Sequence, residues 1–147
     1  MPGPDFTIRN ASEDDIEGIL DIEIDGAAAW TLELYREEIG RKDCIFLVAV
    51  SGSSIAGFAV AWVVLDETQL HNIAVKRNSR KTGIGSALMD SVSSESMLRG
   101  SKKIHLEVRE KNTSALSFYM KKSFSRVGFR KNFYGDDNAI LMEKIIE

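Results

Sequence analysis

The residues Arg80-Lys81-Thr82-Gly83-Ile84-Gly85-Ser86 join a β-patterned stretch ending at Val75 to an amphipathic helical one, and that placement gives the run its chemical meaning. The first amides of a helix lack intrahelical partners and carry partial positive charge, so a phosphate set against them meets donors already aimed. Gly83 and Gly85 let the backbone approach such a group with no side chain in between. Lys76, Arg77, Arg80 and Lys81 add positive charge beside this turn in a chain whose formal net charge is -3. The turn therefore suits a polyanionic small molecule. It is neither a P-loop, which needs Gly-x4-Gly-Lys-Ser/Thr, nor a dinucleotide fingerprint, which needs three glycines and a later acidic residue.

Other residues could move protons. Glu107 shares a strand face with His105 and Arg109; alone it reads as a solvated carboxylate or as a proton acceptor. Tyr119 lies beside Leu116 and Met120 on a helical pattern, either as a core aromatic or as a phenol able to donate. His71, placed by strand alternation on the same side as Ile73, titrates in the range where a second base would work. Two histidines and one cysteine do not make a metal site, so no metal is expected. Cys44, inside Cys44-Ile45-Phe46-Leu47-Val48-Ala49-Val50, reads as a small buried hydrophobe.

The elements that must position these groups follow from the pattern. Residues 6–9 suit a first strand, and Ser12 with Asp15 three positions on caps a helix carrying Ile16, Ile19 and Leu20. Thr31 caps a second helix with Leu34 and Tyr35, which Gly40 should end in a left-handed conformation. Residues 44–50, 55–65 and 69–75 read as an antiparallel meander. A helix with Ile84, Ala87, Leu88 and Val92 on its core face closes at Gly100. A strand bearing Ile104, Leu106 and Val108 follows, then a helix capped by Asn112, and two strands at 127–133 and 139–145 form a hairpin around Gly135-Asp136-Asp137. The order β-α-α-β-β-β-α-β-α-β-β predicts a mixed α/β (α+β) fold, with one sheet of about seven strands and about four helices packed on it.

Size and composition agree. A chain of 147 residues with 44% hydrophobic and 28% charged residues suits one folded domain spanning 1–147 and excludes both a disordered tail and an unbroken membrane span. The net charge argues against nucleic acid and membrane surfaces as partners. A single cysteine and the lack of a signal-like N-terminus point to a cytoplasmic setting.

Arg80-Lys81-Thr82-Gly83-Ile84-Gly85 resembles the pyrophosphate loop Gln/Arg-x-x-Gly-x-Gly/Ala of the GNAT N-acetyltransferases. Leu70-His71-Asn72-Ile73-Ala74-Val75, Leu106-Glu107-Val108-Arg109, Asn112 and Tyr119 look more specifically like the bacterial ribosomal-protein-alanine N-acetyltransferases called RimI. The resemblance implies a GNAT-like, mostly antiparallel central sheet and acetyl transfer from acetyl-CoA, as co-substrate, to a primary amine without a metal. It implies that the backbone of Ile73, Ala74 and Val75 pairs with the pantetheine arm, that Arg80, Lys81, Thr82, Gly83, Ile84, Gly85 and Ser86 hold the pyrophosphate, and that Asn112 contacts the coenzyme. Glu107 matches the family's general base and Tyr119 its general acid toward the departing sulfur. Trp30 and Tyr134 would flank the acceptor, expected to be the N-terminal α-amine of a protein such as a ribosomal protein.

The sequence departs from the family at Ser123, where Tyr-x-x-x-Gly-Phe has glycine, and at Ala29, where the Pro-Trp-Ser segment has proline. The segment Arg130-Lys131-Asn132-Phe133-Tyr134 resembles the hairpin that lies near the peptide, but its turn is shorter, and Asn138 stands in place of aspartate. Two other functions stay open at this point: acetylation of a small-molecule amine, and a non-catalytic module that senses CoA.

Overall fold

Local signals set the N-terminal part. β1 (Thr7–Asn10) pairs antiparallel with β2 (Cys44–Ser51) at one edge of the sheet. Between them a 3-10 turn at Glu13–Asp15 runs into α1 (Ile16–Leu20). The Asp15 carboxylate accepts the Ser12 amide at 2.8 Å and both ends of the Arg9 guanidinium at 2.7 and 2.8 Å, tying the end of β1 to the start of the helix. α2 (Leu32–Ile39) starts as expected, with Thr31 Oγ1 accepting the Leu34 amide at 3.2 Å. Its end differs from expectation. Gly40 has φ -84°, a right-handed conformation, because its amide and that of Arg41 continue the turn by bonding the carbonyls of Glu37 and Glu38, so no reversal is needed. The computed structural model describes residues 5–22 and 31–147, and Trp30 lies outside the described residues.

The β-branched and aromatic run that follows forms β2, β3 (Ser54–Val64) and β4 (Glu67–Val75) as an antiparallel meander. A 3-10 turn at Arg77–Ser79 leads to α3 (Ile84–Leu98), and Gly100, at φ +86°, ends it. α3 buries Ile84, Leu88, Met89 and Val92; Met89 takes the place that helical spacing gave to Ala87, which is only partly buried. β5 (Lys103–Arg109) then pairs parallel with β4, the one parallel contact among the described residues, in a seven-stranded sheet of order β1-β2-β3-β4-β5-β7-β6. α4 (Thr113–Lys121) is capped by Asn112, whose Oδ1 accepts the Ala115 amide at 3.1 Å.

β6 (Ser125–Arg130) and β7 (Ala139–Ile145) close the sheet. β6 lies two to three residues earlier than predicted, since Asn132 at φ +53° and Gly135 at φ +84° cannot continue a strand. Ser123 adopts φ +73° in the turn before β6, the left-handed conformation that glycine fills in the resembled motif.

Two cores define the faces of the sheet. On one, α3 covers Ile45, Leu47, Ala59, Leu70, Ile104, Leu106, Ile140 and Met142, and α4 packs Leu116, Phe118 and Tyr119 against them. On the other, α1 and α2 bury Ile16, Ile19 and Tyr35 against Phe46, Val48, Phe58 and Val60. Tyr35, Phe46 and Phe58 meet at ring separations of 5.8 to 6.4 Å, and burial pushes the Tyr35 hydroxyl up to about 12. A buried aromatic cluster of this kind outweighs the Arg36–Glu13 ion pair, both of whose side chains are more than half exposed, because exposed pairs are worth about 0–1 kcal/mol.

Asp15 supplies a pH-dependent part of this stability. The Arg9 guanidinium, and then the Ser12 amide, hold its carboxyl below the usual range against the opposing effect of burial. A lowered folded value means that the contribution is complete above the unfolded pKa of about 3.9 and is lost as pH falls through the folded value. Asp15→Asn is expected to destabilise the protein by about 1–3 kcal/mol at pH 7. The deficit should shrink as pH falls below about 4, where the unfolded wild-type carboxyl takes up its proton, and go on shrinking toward the lowered folded value; urea unfolding at pH 7 and pH 3 checks both.

Candidate active site

β4 and β5 share only three register pairs, Glu67↔Lys103, Thr68↔Ile104 and Gln69↔His105. Beyond them β4 stays on β3 as far as Val75, and β5 stays on β7 as far as Arg109, so the two central strands diverge and the sheet opens. A bulge marks the start of the divergence: Ala61 faces Leu70 but the next residue, Val60, faces Asn72, leaving His71 as the extra residue. The opening is a cleft of about 930 Å³, a size suited to a small molecule. Its walls are the free edge of residues 72–75, the facing edge of β5, the turn before α3 and the inner side of α4.

The bulge also overturns the expected side of His71. Leu70, Ile73 and Val75 pack on the α3 side, whereas the His71 ring lies 3.9 Å from that of Trp62, which packs on the α1–α2 side. One inserted residue reverses strand parity, so His71 and Ile73 face opposite ways. Burial lowers the His71 pKa, with the Arg41 charge assisting and Glu38 opposing, so the imidazole is neutral at pH 7. Beneath it, the Trp62 indole donates to the buried Glu38 carboxylate, and the Arg41 guanidinium covers the indole ring at 3.9 Å.

At one end of the cleft the turn before α3 has the form its sequence suggests. Lys81 and Gly83 take positive φ values of 64° and 91°, and a Cβ on Gly83 would meet nothing within 4 Å. The first helical hydrogen bond runs from the Ala87 amide to the Gly83 carbonyl, so the amides of residues 84–86 precede it and are directed out of the helix end. Gly85 lies against α4, where a Cβ would sit 3.4 Å from the Phe118 ring, about van der Waals contact. Arg80 Nε donates to the Val75 carbonyl at 3.1 Å, fixing the turn to the end of β4. Arg80, Lys81, Gly83, Gly85 and Ser86 line the cleft; Ile84 is buried in the core, and the Thr82 hydroxyl folds back onto the Ser79 carbonyl.

Further along, Ile73, Ala74, Val75, Glu107, Asn112, Tyr119 and Tyr134 line the same cleft. Tyr119 comes from the α4 side, while Glu107, opposite in parity to Leu106 and Val108, faces the other side of the sheet. The Tyr119 phenol is pushed well above its usual value by burial, with a smaller effect from Tyr134, so it stays protonated at neutral and moderately alkaline pH. The Glu107 carboxylate stands 3.6 Å from the Arg130 guanidinium. Tyr134 covers Arg109 at 4.3 Å, and Arg109 is paired with Asp136 at 2.7 Å. The short loop carrying Tyr134 is fastened by Asp137, which accepts the Lys111 and Asn138 amides, and by Asn138, which accepts the Asn132 amide and donates to Glu110.

Sequence reasoning missed Phe118 and Gln69 as cleft residues. Only the approach of α4 to Gly85 reveals the position of Phe118. Among the described residues, no group of three or more His, Cys, Asp or Glu side chains is placed to hold a metal ion.

A long, polyanionic small molecule fits this cleft, because strand edges lie along its length and helix-end amides with two cationic side chains lie at its mouth. Comparison with known proteins agrees. The family model for the acetyltransferase (GNAT) family matches residues 16–124. The [ribosomal protein bS18]-alanine N-acetyltransferase of Escherichia coli K12 is 33% identical over 120 residues, 79% of this chain and 80% of that protein. The crystal structure of the Escherichia coli ribosomal-protein-S18-alanine N-acetyltransferase superposes with a TM-score of 0.86 at 29% identity, covering 97% of this chain and 94% of that one. An N-alpha-acetyltransferase of Saccharolobus solfataricus is 30% identical over 158 residues, 97% of this chain and 94% of that protein. A Thermoplasma acidophilum N-acetyltransferase crystallised with coenzyme A shares the fold, with a TM-score of 0.81 at 22% identity over 95% of this chain and 98% of that one. The chain belongs to the acetyltransferase (GNAT) family and is an acetyl-CoA-dependent N-acetyltransferase.

Proposed function

We propose that the enzyme acetylates the N-terminal α-amine of a protein, with ribosomal protein bS18 as the leading acceptor. The reading is supported by what the bacterial and archaeal relatives are named for, and by a cleft that opens to both sides of the sheet with Glu107 and Tyr119 on different sides of it. That arrangement is the single observation that carries the mechanism.

An amine attacks only through a lone pair, so its proton must go first. Keeping a lysine side chain neutral at pH 7 costs roughly 4–5 kcal/mol, whereas an α-amine near pKa 7.7–8.0 costs roughly 1 kcal/mol. One carboxylate is enough for the second task. Glu107 takes the proton from the α-amine, directly or through water. Acetyl-CoA, when bound, supplies the thioester that is attacked. The backbone of Ile73, Ala74 and Val75 holds the pantetheine arm as an added strand would be held, and the turn from Arg80 to Ser86 holds the pyrophosphate by its amides and charges, with Asn112 contributing from the start of α4. Tyr119 donates its proton to the departing sulfur; burial keeps the phenol protonated across the working pH range but also makes it the weaker acid, so the transfer relies on its position beside the sulfur. Tyr134 borders the acceptor on the hairpin side; Trp30, which the family resemblance also assigns to the acceptor, lies outside the described residues.

The direct test is mass spectrometry of peptides after incubation with acetyl-CoA. A peptide of the bS18 N-terminal sequence should gain one acetyl group on its α-amine. Acetylation of spermidine but of no peptide would replace the protein acceptor with a small-molecule one. Glu107→Gln and Tyr119→Phe should each slow kcat by at least about tenfold, the lower part of the range for general acid–base groups, while calorimetry shows acetyl-CoA still bound. Because the Tyr119 proton persists above pH 10, the ratio of wild-type to Tyr119→Phe rates should stay constant from about pH 7 to 9.5. A ratio that falls across this interval would assign the proton to another group.

A further inference from the structure

We propose that Arg130 is the displaceable counter-ion of Glu107, and that the ammonium form of the acceptor takes its place on binding. Arg130 thereby sets how tightly the site holds a cationic acceptor. The inference rests on Glu107 being the proton acceptor.

Glu107 lies on β5 and Arg130 on the edge strand β6, with β7 between them. Their separation of 3.6 Å is loose beside the 2.7 Å of Arg9–Asp15 and Arg109–Asp136. Arg130 is 54% exposed and Glu107 26%, so the guanidinium can swing into water while the carboxylate stays in the cleft wall. The other cation on the same strand face, Arg109, is already engaged with Asp136 and under the Tyr134 ring. The other titratable groups lining the cleft among the described residues are His71 on β4, Tyr119 and Lys121 on α4, Tyr134 on the hairpin loop, and Arg80 and Lys81 in the turn before α3, while β7 presents Leu141 opposite Glu107. Arg130 is thus the cation paired with the carboxylate at the point where an amine must arrive.

The energies favour exchange. A half-exposed ion pair is worth about 0.2–1 kcal/mol, so little is lost when Arg130 leaves. The arriving ammonium replaces it charge for charge and brings hydrogen-bond donors to the same oxygens. Arg130 would then act as a competitor for the acceptor site.

Steady-state kinetics at pH 7 with saturating acetyl-CoA and the bS18 N-terminal peptide test this. Arg130→Gln should raise kcat/KM about 1.4- to fivefold, through a lower KM, by removing a competitor worth about 0.2–1 kcal/mol. Arg130→Lys, which keeps the charge, should retain the wild-type KM. In the Glu107→Gln background, calorimetry on the CoA complex should find the same peptide affinity with Arg130 or with glutamine. A fall in kcat/KM on Arg130→Gln, as a merely structural role requires, overturns the proposal, as does an unchanged value. A gain in affinity that persists without the Glu107 carboxylate overturns it too. Failure of Glu107→Gln to slow acetylation would instead remove the base assignment, and is read from a different variant.

Discussion

Everything in the cleft depends on the point at which β4 and β5 stop pairing. A parallel ladder that continued past Gln69 and His105 would bond the edges of both strands to each other and close the sheet. The bulge at His71 bends β4 where the ladder ends, and the antiparallel neighbours β3 and β7 hold the two strands on diverging courses. Backbone polar groups need partners, and here a stretch of strand edge is kept open inside a folded domain, beside a helix whose first amides are also available. The cost of leaving these groups unpaired by protein is offset by packing elsewhere, chiefly the α3 core and the aromatic cluster of Tyr35, Phe46 and Phe58.

Much of this was readable from the residues. Alternation in Ile104, Leu106 and Val108 against His105, Glu107 and Arg109 is a local property of a half-buried strand, and burial follows it residue by residue. The caps at Thr31 and Asn112 were readable because a side-chain oxygen three positions before an amide needs no tertiary information. The glycine-containing basic turn before α3 was visible through its glycines and charges, and Ser123 was visible as a residue in a place meant for glycine, which its φ of +73° bears out.

What could not be read depends on contacts distant in sequence. The side of His71 depends on a one-residue register shift against β3, which leaves no mark in the spacing of Leu70-His71-Asn72-Ile73. Phe118 matters because α4 comes to rest against Gly85, and the 3.6-residue pattern of α4 records only that it packs. Gly40 was misjudged for the opposite reason: glycine permits a left-handed end to a helix but does not require one, and the carbonyls of Glu37 and Glu38 made a right-handed continuation available. The roles proposed for Glu107 and Tyr119 came from family likeness, since neither burial nor periodicity separates a catalytic carboxylate from a solvated one.

The opening that runs through the sheet has a kinetic meaning. Reactants that approach from opposite faces can be held at the same time, so neither has to depart before the other arrives, and the acyl group need never rest on the protein. The one thiol that could have carried it, Cys44, is sealed in the core between α2 and β3 and pushed by burial up to about 12. Such an enzyme would work through a ternary complex, with order of addition governed by which partner builds the other's binding surface.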